Sequence, residues 1–209
     1  NASLQFSFVP PGARSLGTGG AFIGLADDAT AAYTNPAGLT QLVDTEISVE
    51  YRRARYSTSF IVNDLPTYDS ANSSEDGIGF LSVVIPRENW AVSFYRHEYL
   101  NYSTEFLGAA ESSFLRTFFS TIDVKGVNYG ASGAYKFSDT LSVGLGIAYS
   151  QFDLDSFTAR PNNGGFDQPG AFASGQSGDD NDVVFNAGFL WKATERLAIG
   201  GVYRDGGNF

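Results

Sequence analysis

From Thr45 onward the chain alternates large apolar residues with polar or very small ones, in segments about ten residues long separated by turn residues. A period of two belongs to a strand and not to a helix. In residues 141–152, Leu141, Val143, Leu145, Ile147 and Tyr149 share one face, and Ser142, Gly144, Gly146, Ala148 and Ser150 share the other. Taken alone, that strand permits either face to be the inside. Two neighbours narrow the choice. In residues 183–192, Val183, Phe185, Ala187, Phe189 and Trp191 oppose Asn186, Gly188 and Lys192. In residues 128–137, Tyr129, Tyr135 and Phe137 oppose Asn128, Gly130, Ser132 and Lys136. Small and polar residues recur on one side, while aromatics gather near strand ends on the other. That pattern fits a lipid-facing exterior with aromatic girdles around a polar or crowded lumen.

Composition agrees with a barrel in a membrane. No apolar run reaches the roughly 18 residues of a spanning helix, which leaves a closed antiparallel barrel as the one spanning structure with every backbone group paired. A net charge of −10 with 13 Lys and Arg argues against a nucleic-acid partner. Cysteine is absent, so thiol chemistry and disulfides are excluded. Methionine is absent too, and Asn1 is read as the residue following a removed signal peptide. A soluble β-sandwich is the competing fold; solubility without detergent would favour it.

The pattern predicts an all-β, transmembrane, antiparallel up-and-down barrel with about seven strands, near 45–59, 77–85, 90–106, 118–137, 140–156, 183–193 and 197–204. Short connections at residues 86–89, 138–139 and 194–196 alternate with long ones at 60–76, 108–118 and 157–182, as periplasmic turns and external loops do. Bacterial barrels have even strand numbers, and residues 204–209 read as the start of a loop, so the barrel (45–209) is expected to be incomplete at its C-terminal end.

Residues 1–44 differ. They are rich in Gly and Ala, have no period of two, and carry Pro10, Pro11 and Pro36. Gly17, Gly19 and Gly20 permit positive φ and close backbone approach. Asp27 or Asp28 can cap a short helix over residues 29–33, and Pro36 drives Asn35 off helical geometry. The expected product is a compact knot of small residues, able to sit against a wall of glycine and serine.

Residues 12–39 carry a family likeness in the Gly-rich start, the Ala26-Asp27-Asp28-Ala29 step and Asn35-Pro36-Ala37-Gly38-Leu39. They resemble the N-terminal plug of the FadL-type outer-membrane transporter family, which includes long-chain fatty acid and aromatic-hydrocarbon channels and PorV-like proteins. The resemblance covers under a fifth of the chain. It implies a fourteen-stranded barrel in the outer membrane of a Gram-negative bacterium, with residues 1–44 as a lumenal plug and the seven strands as half of the wall. It also implies passive passage of hydrophobic small molecules such as long-chain fatty acids, with plug rearrangement and lateral exit through the wall. The alternative is a PorV-like structural or secretion-associated barrel that binds other outer-membrane proteins through its external loops. Expected surroundings are outer-membrane lipid and lipopolysaccharide. No cofactor and no catalysis are implied.

Several further residues have the chemistry for a site. Gly17-x-Gly19-Gly20 lacks the preceding strand and distant acid of a phosphate-binding loop. His97, the one histidine, is read as a solvated rim residue and not a base for Ser93 or Ser150, since no nucleophile elbow accompanies it. Asp179, Asp180 and Asp182 offer oxygen ligands for calcium on a stretch read as a flexible loop, without the spacing of a twelve-residue calcium loop. Phe114, Leu115, Phe118 and Phe119 follow the third strand at roughly helical spacing, as a groove admitting a hydrophobic substrate, as packing against the plug and loops, or as a contact for a partner protein. Of Arg52, Arg53 and Arg55, an inward one is placed to pair with Asp27 or Asp28; the other reading puts all three at the external rim against lipid phosphate.

Overall fold

The computed structural model describes residues 9–61, 68–108, 118–160 and 170–208. Its described residues form one curled sheet of seven strands: β1 (Glu46–Ile61), β2 (Tyr68–Pro86), β3 (Trp90–Gly108), β4 (Phe118–Lys136), β5 (Leu141–Arg160), β6 (Phe172–Thr194) and β7 (Leu197–Arg204). Spatial order equals chain order, and each neighbouring pair is antiparallel. This is an up-and-down meander, as the alternation predicts. The three short connections are tight turns; the turn after β4, for example, is held by Ser138 Oγ, which accepts from Leu141 N at 3.1 Å.

The strands outrun their expected limits. β5 continues to Arg160 and β6 begins at Phe172, so most of the supposed 157–182 loop is a two-stranded ladder with Asp153 opposite Asp179. Likewise β2 begins at Tyr68, inside the supposed 60–76 loop. Backbone pairing does not require an apolar face, so a ladder continues into polar sequence where the period-2 hydrophobic signal has faded.

The two faces are inverted relative to a soluble sheet. Along β5, Leu141, Leu145, Ile147 and Tyr149 are exposed, whereas Ser142, Gly144, Ala148 and Ser150 are buried. On β6, Phe185, Phe189 and Trp191 are exposed opposite buried Leu190 and Asn186. A chain in water does not keep such a band uncovered; lipid is the environment that suits it.

Aromatic residues bound this band. At the short-turn end Trp90 pairs with Tyr135, and Trp191 pairs with Leu141. At the other end Tyr129 pairs with Tyr149, with Tyr51 exposed on β1. From Leu141 to Tyr149 the strand rises about 27 Å at roughly 3.4 Å per residue, close to the roughly 25 Å apolar height of an outer-membrane barrel. Beyond Tyr149 the outward positions become Gln151, Asp153 and Asp155. Replacing Leu145, in mid-band, with arginine is expected to lower unfolding free energy in lipid vesicles by about 2–4 kcal/mol. Gln151→Arg, beyond the band, is expected to change it little; denaturant titration of the two variants measures the contrast.

The inner face is covered by residues 9–42, which contain helices α1 (Ala13–Gly17) and α2 (Ala31–Thr34) and a 3-10 turn, Pro36–Gln41. The core lies between them and the wall: Phe22, Ala26, Ala29, Ala31, Ala32 and Leu39 against Phe80, Val84, Ala91, Tyr95, Ala134 and Ala148.

Candidate functional site

The seat of the N-terminal segment is built from absent side chains. A Cβ on Gly144 would lie 2.6 Å from Pro36 Cβ and closer still to the Pro36–Ala37 peptide, and one on Gly188 would strike the Asn35 side chain. On β7, a Cβ on Gly200 would lie 2.8 Å from Gly24 Cα. These glycines let two backbones meet where any other residue would separate them.

Asn35 is the centre of this contact and is fully buried. Proline at 36 forces it to an extended φ of −155°. Its Nδ2 donates to Ile23 O at 2.9 Å and to Phe189 O of β6 at 3.0 Å, while its Oδ1 accepts from Ala37 N at 3.3 Å and caps the 3-10 turn. One amide thereby ties together the segment's two arms and the wall. Nearby, Ser132 Oγ donates to Ala32 O at 2.6 Å and Thr40 Oγ1 to Ser142 Oγ at 2.8 Å.

Two carboxylates of β1 hold the near side. Glu50 Oε2 accepts from Gly12 N at 2.6 Å and Glu46 Oε1 from Ala29 N at 3.4 Å. The sequence reading missed both, although Glu46, Ser48 and Glu50 share a face by alternation. Asp27 pairs with Arg14 at 2.8 Å and not with an arginine of β1. Asp28 Oδ1 accepts from Thr30 N at 2.9 Å, in a turn just before α2; Thr30 is the N-cap residue of that helix and no side chain caps it, so the expected aspartate cap is not made. Gly19 and Gly20 have φ of 65° and 85°; Gly17 instead ends α1 and needs no such freedom.

Tyr33 fastens α2 to the far wall. Its carbonyl accepts from Arg204 Nη2 at 2.6 Å and Asn186 Nδ2 at 3.3 Å, and the Arg204 guanidinium carbon lies 3.9 Å from its ring centroid. Burial raises the Tyr33 phenol above its ordinary range, which keeps it neutral, so the ring–guanidinium contact is cation–π and not an ion pair. The Tyr33 ring also meets His97, centroids 4.2 Å apart. The rim placement of His97 is therefore corrected: it is 1% exposed, on the inner face with Tyr95 and Ser93, and its Nε2 lies 3.0 Å from Val9 O. Alternation along β3 places it there.

The wall is interrupted beside this cluster. β2 pairs with β1 as far as Tyr68, and β3 pairs with β4 as far as Gly108. Yet the described β2–β3 ladder stops at Phe80–His97. Each strand carries an irregularity there, at Gly79 in β2 and Tyr99 in β3. His97 faces Asn128, next to Tyr129, so the split opens at the level of the outer aromatic girdle. Glu98, 6% exposed, stands at its edge. Arg96 Nη2 is 3.0 Å from the Glu98 carboxylate, Arg52 Nη2 3.8 Å and Lys125 Nζ 3.9 Å. Arg52 thus meets Glu98 and not the N-terminal aspartates, while exposed Arg53 and Arg55 lie at the rim.

The remaining sequence candidates do not converge. Phe114 and Leu115 lie outside the described residues. Phe118 and Phe119 begin β4, a strand and not the helical stretch expected of them. Phe119 meets Phe157, centroids 6.4 Å apart. Asp179, Asp180 and Asp182 lie in β6, not in a flexible loop, with Asp180 and Asp182 on the face opposite Asp179. Among the described residues no group of three or more histidine or acidic residues is arranged to hold a metal ion.

An inverted meander with two aromatic girdles and a lumenal face of glycine and serine defines a β-barrel wall of the bacterial outer membrane. The chain belongs to the outer membrane protein transport protein family (OMPP1/FadL/TodX), which it matches over residues 12–207. That family is one of transport proteins and not of enzymes. Among solved structures it is similar to a Pseudomonas aeruginosa FadL homologue, at 16% identity and a TM-score of 0.58 over 88% of this chain and 49% of that one. It is also similar to the CymD monoaromatic hydrocarbon channel, at 17% identity and a TM-score of 0.55 over 96% of this chain and 54% of that one. At such identities the likeness is one of fold, and the chain spans about half the length of these relatives. Among curated proteins nothing matches.

Proposed function

We propose that the chain is the plugged half of an outer-membrane channel that passes hydrophobic small molecules, such as long-chain fatty acids, from outside to the membrane. Residues 9–42 act as the plug, and the passenger leaves sideways through the β2–β3 split. The observation that carries this reading is the stop in the β2–β3 ladder at the outer girdle, on a wall whose interior is already filled. A water-filled pore has no use for a wall opening toward lipid, whereas an apolar passenger loses nothing by leaving through one. The aromatic residues Tyr33, Tyr95 and Phe80, which pack together beside the split, offer a slender apolar molecule a surface to follow toward it.

Reconstitution of the full-length protein in lipid vesicles tests this. Expected is saturable uptake of a long-chain alkanoate or an alkylbenzene, with no uptake of a disaccharide. Uptake of both solute classes, or of neither, overturns the reading; the second outcome leaves a protein-binding role for the external ends of the strands.

A further inference from the structure

The wall split is not left empty of interactions: side chains cross it where the backbone ladder stops. Arg96 of β3 reaches back, its Nη1 donating to Ile78 O of β2 at 2.6 Å. Arg52 of β1 reaches over β2 altogether, its Nη2 lying 3.4 Å from Glu98 O of β3. It passes over Gly79, where a Cβ would lie in ordinary van der Waals contact, 3.8 Å from the Arg52 guanidinium carbon. Alternation places Arg52 on the lumenal face with Glu50, and Arg96 and Lys125 on the outward face with Phe94 and Val127. The Glu98 carboxylate is thus approached from both sides of the wall, and Asn101 Nδ2 donates to its Oε1 at 3.0 Å. One buried carboxylate holds three cations, two of them at 3.8 Å or more. The geometry of the longer pairs is far from the short bidentate arrangement that makes such a pair strong.

We propose that Glu98, Arg52, Arg96 and Lys125 form an exchangeable charge latch across the split, in which the carboxylate of an amphiphilic passenger takes the place of Glu98 on the arginines. At rest, Arg96 holds β3 to β2 through Ile78 O and Arg52 holds β3 to β1 through Glu98, and the slot is closed. An incoming anionic head group satisfies Arg52 and Arg96 in turn, Glu98 keeps Lys125 and Asn101, and the apolar tail lies in the opened slot toward lipid. A neutral passenger offers nothing to exchange and passes only when the latch opens unaided, and so more slowly. No bond is made or broken; the exchange is between two carboxylates of like charge, so no unpaired charge is left buried at any stage. The inference rests on the split being the exit of the proposed channel.

The test uses the full-length protein in vesicles and two probes of equal length, hexadecanoate and its methyl ester. The wild type is expected to take up the acid about tenfold faster than the ester, which corresponds to one exchanged ion pair of about 1.4 kcal/mol. Glu98→Gln cannot hold the cations, so ester uptake is expected to rise until the ratio approaches one, while Glu98→Asp keeps most of the preference. Arg96→Gln is expected to abolish the preference as well, and it serves as the second variant should Glu98→Gln fail to fold, as judged by its heat-modifiable mobility. A wild type that moves both probes equally, or a folded Glu98→Gln that keeps the preference, overturns the latch and leaves the lateral exit standing. Uptake of neither probe by the wild type overturns the exit itself, and the latch with it.

Discussion

Gly144→Val is expected to lift the Asn35–Pro36–Ala37 step off the wall and turn a closed barrel into an ion-conducting one. The added atoms would fall onto the peptide joining Pro36 and Ala37, not onto the end of a flexible side chain. That peptide cannot step aside alone. The 3-10 turn it begins is tied to Ser142 through Thr40, and Asn35 is bonded to β6 at Phe189 O. Overpacking a tight core costs about 1–3 kcal/mol where neighbours relax, and backbone against backbone belongs at or above the top of that range. At about 1.4 kcal/mol per factor of ten, roughly 3 kcal/mol shifts the balance between seated and unseated segment more than a hundredfold. Single-channel recording of the full-length protein in planar bilayers measures this: the wild type is expected to stay closed and Gly144→Val to show long openings. Gly178→Val is the control, since a Cβ there meets nothing within 4 Å. A Gly144→Val protein that stays closed with unchanged thermal stability would show that the segment does not seal the lumen.

Gly144 also shows how much the sequence discloses. Its place on the small-residue face of β5 is legible from alternation alone, as is the order of the strands, because both follow from a local period and from turn residues. The two aromatic girdles follow for the same reason. What the glycine face is small for is not local. The contact between residue 144 and residues 36–37 is set by how a segment without periodicity folds back on the sheet, and only the family likeness points to it. Residues 179–182 read as a loop because polar residues on both faces erase the period-2 signal while leaving the ladder intact. His97 is misread for a different reason: its charged neighbours Arg96 and Glu98 suggest a rim, although its parity with Tyr95 and Ser93 already places it inside. The pairing of Arg52 with Glu98 has no signal in the sequence. It crosses a whole strand and depends on an irregularity at Gly79 that the sequence does not announce.

Asn35→Asp is expected to destabilise the seated segment more than Asn35→Ala, although aspartate is nearly the same size as asparagine. The Asn35 amide nitrogen donates to two carbonyls, Ile23 O and Phe189 O, at 2.9 and 3.0 Å, in a site with no exposure. Alanine removes both bonds and leaves two buried acceptors and the Ala37 N–H unserved. At about 1–3 kcal/mol for a buried group left unsatisfied, a loss of roughly 2–4 kcal/mol follows, softened because carbonyls keep weaker partners. Aspartate still accepts from Ala37 N, but it sets an anionic oxygen against the two carbonyls that need a donor. The site then holds a buried charge that no nearby cation relieves, since Arg14 and Arg204 are engaged with Asp27 and Tyr33. The sign of the pH effect separates the two variants. A carboxylate buried in this way is driven toward its neutral form, and the neutral acid can donate one of the two lost bonds. The Asn35→Asp penalty is therefore greatest at neutral pH and shrinks as pH falls toward the ordinary carboxylate range, whereas the alanine penalty stays flat. Limited proteolysis of residues 9–42 in the folded, full-length protein, run at pH 7.5 and pH 4.5 with an acid-tolerant protease at the lower value, reads the difference. Faster cleavage of the alanine variant than of the aspartate variant at neutral pH would mean that the Asn35 nitrogen is not what pins the segment to β6.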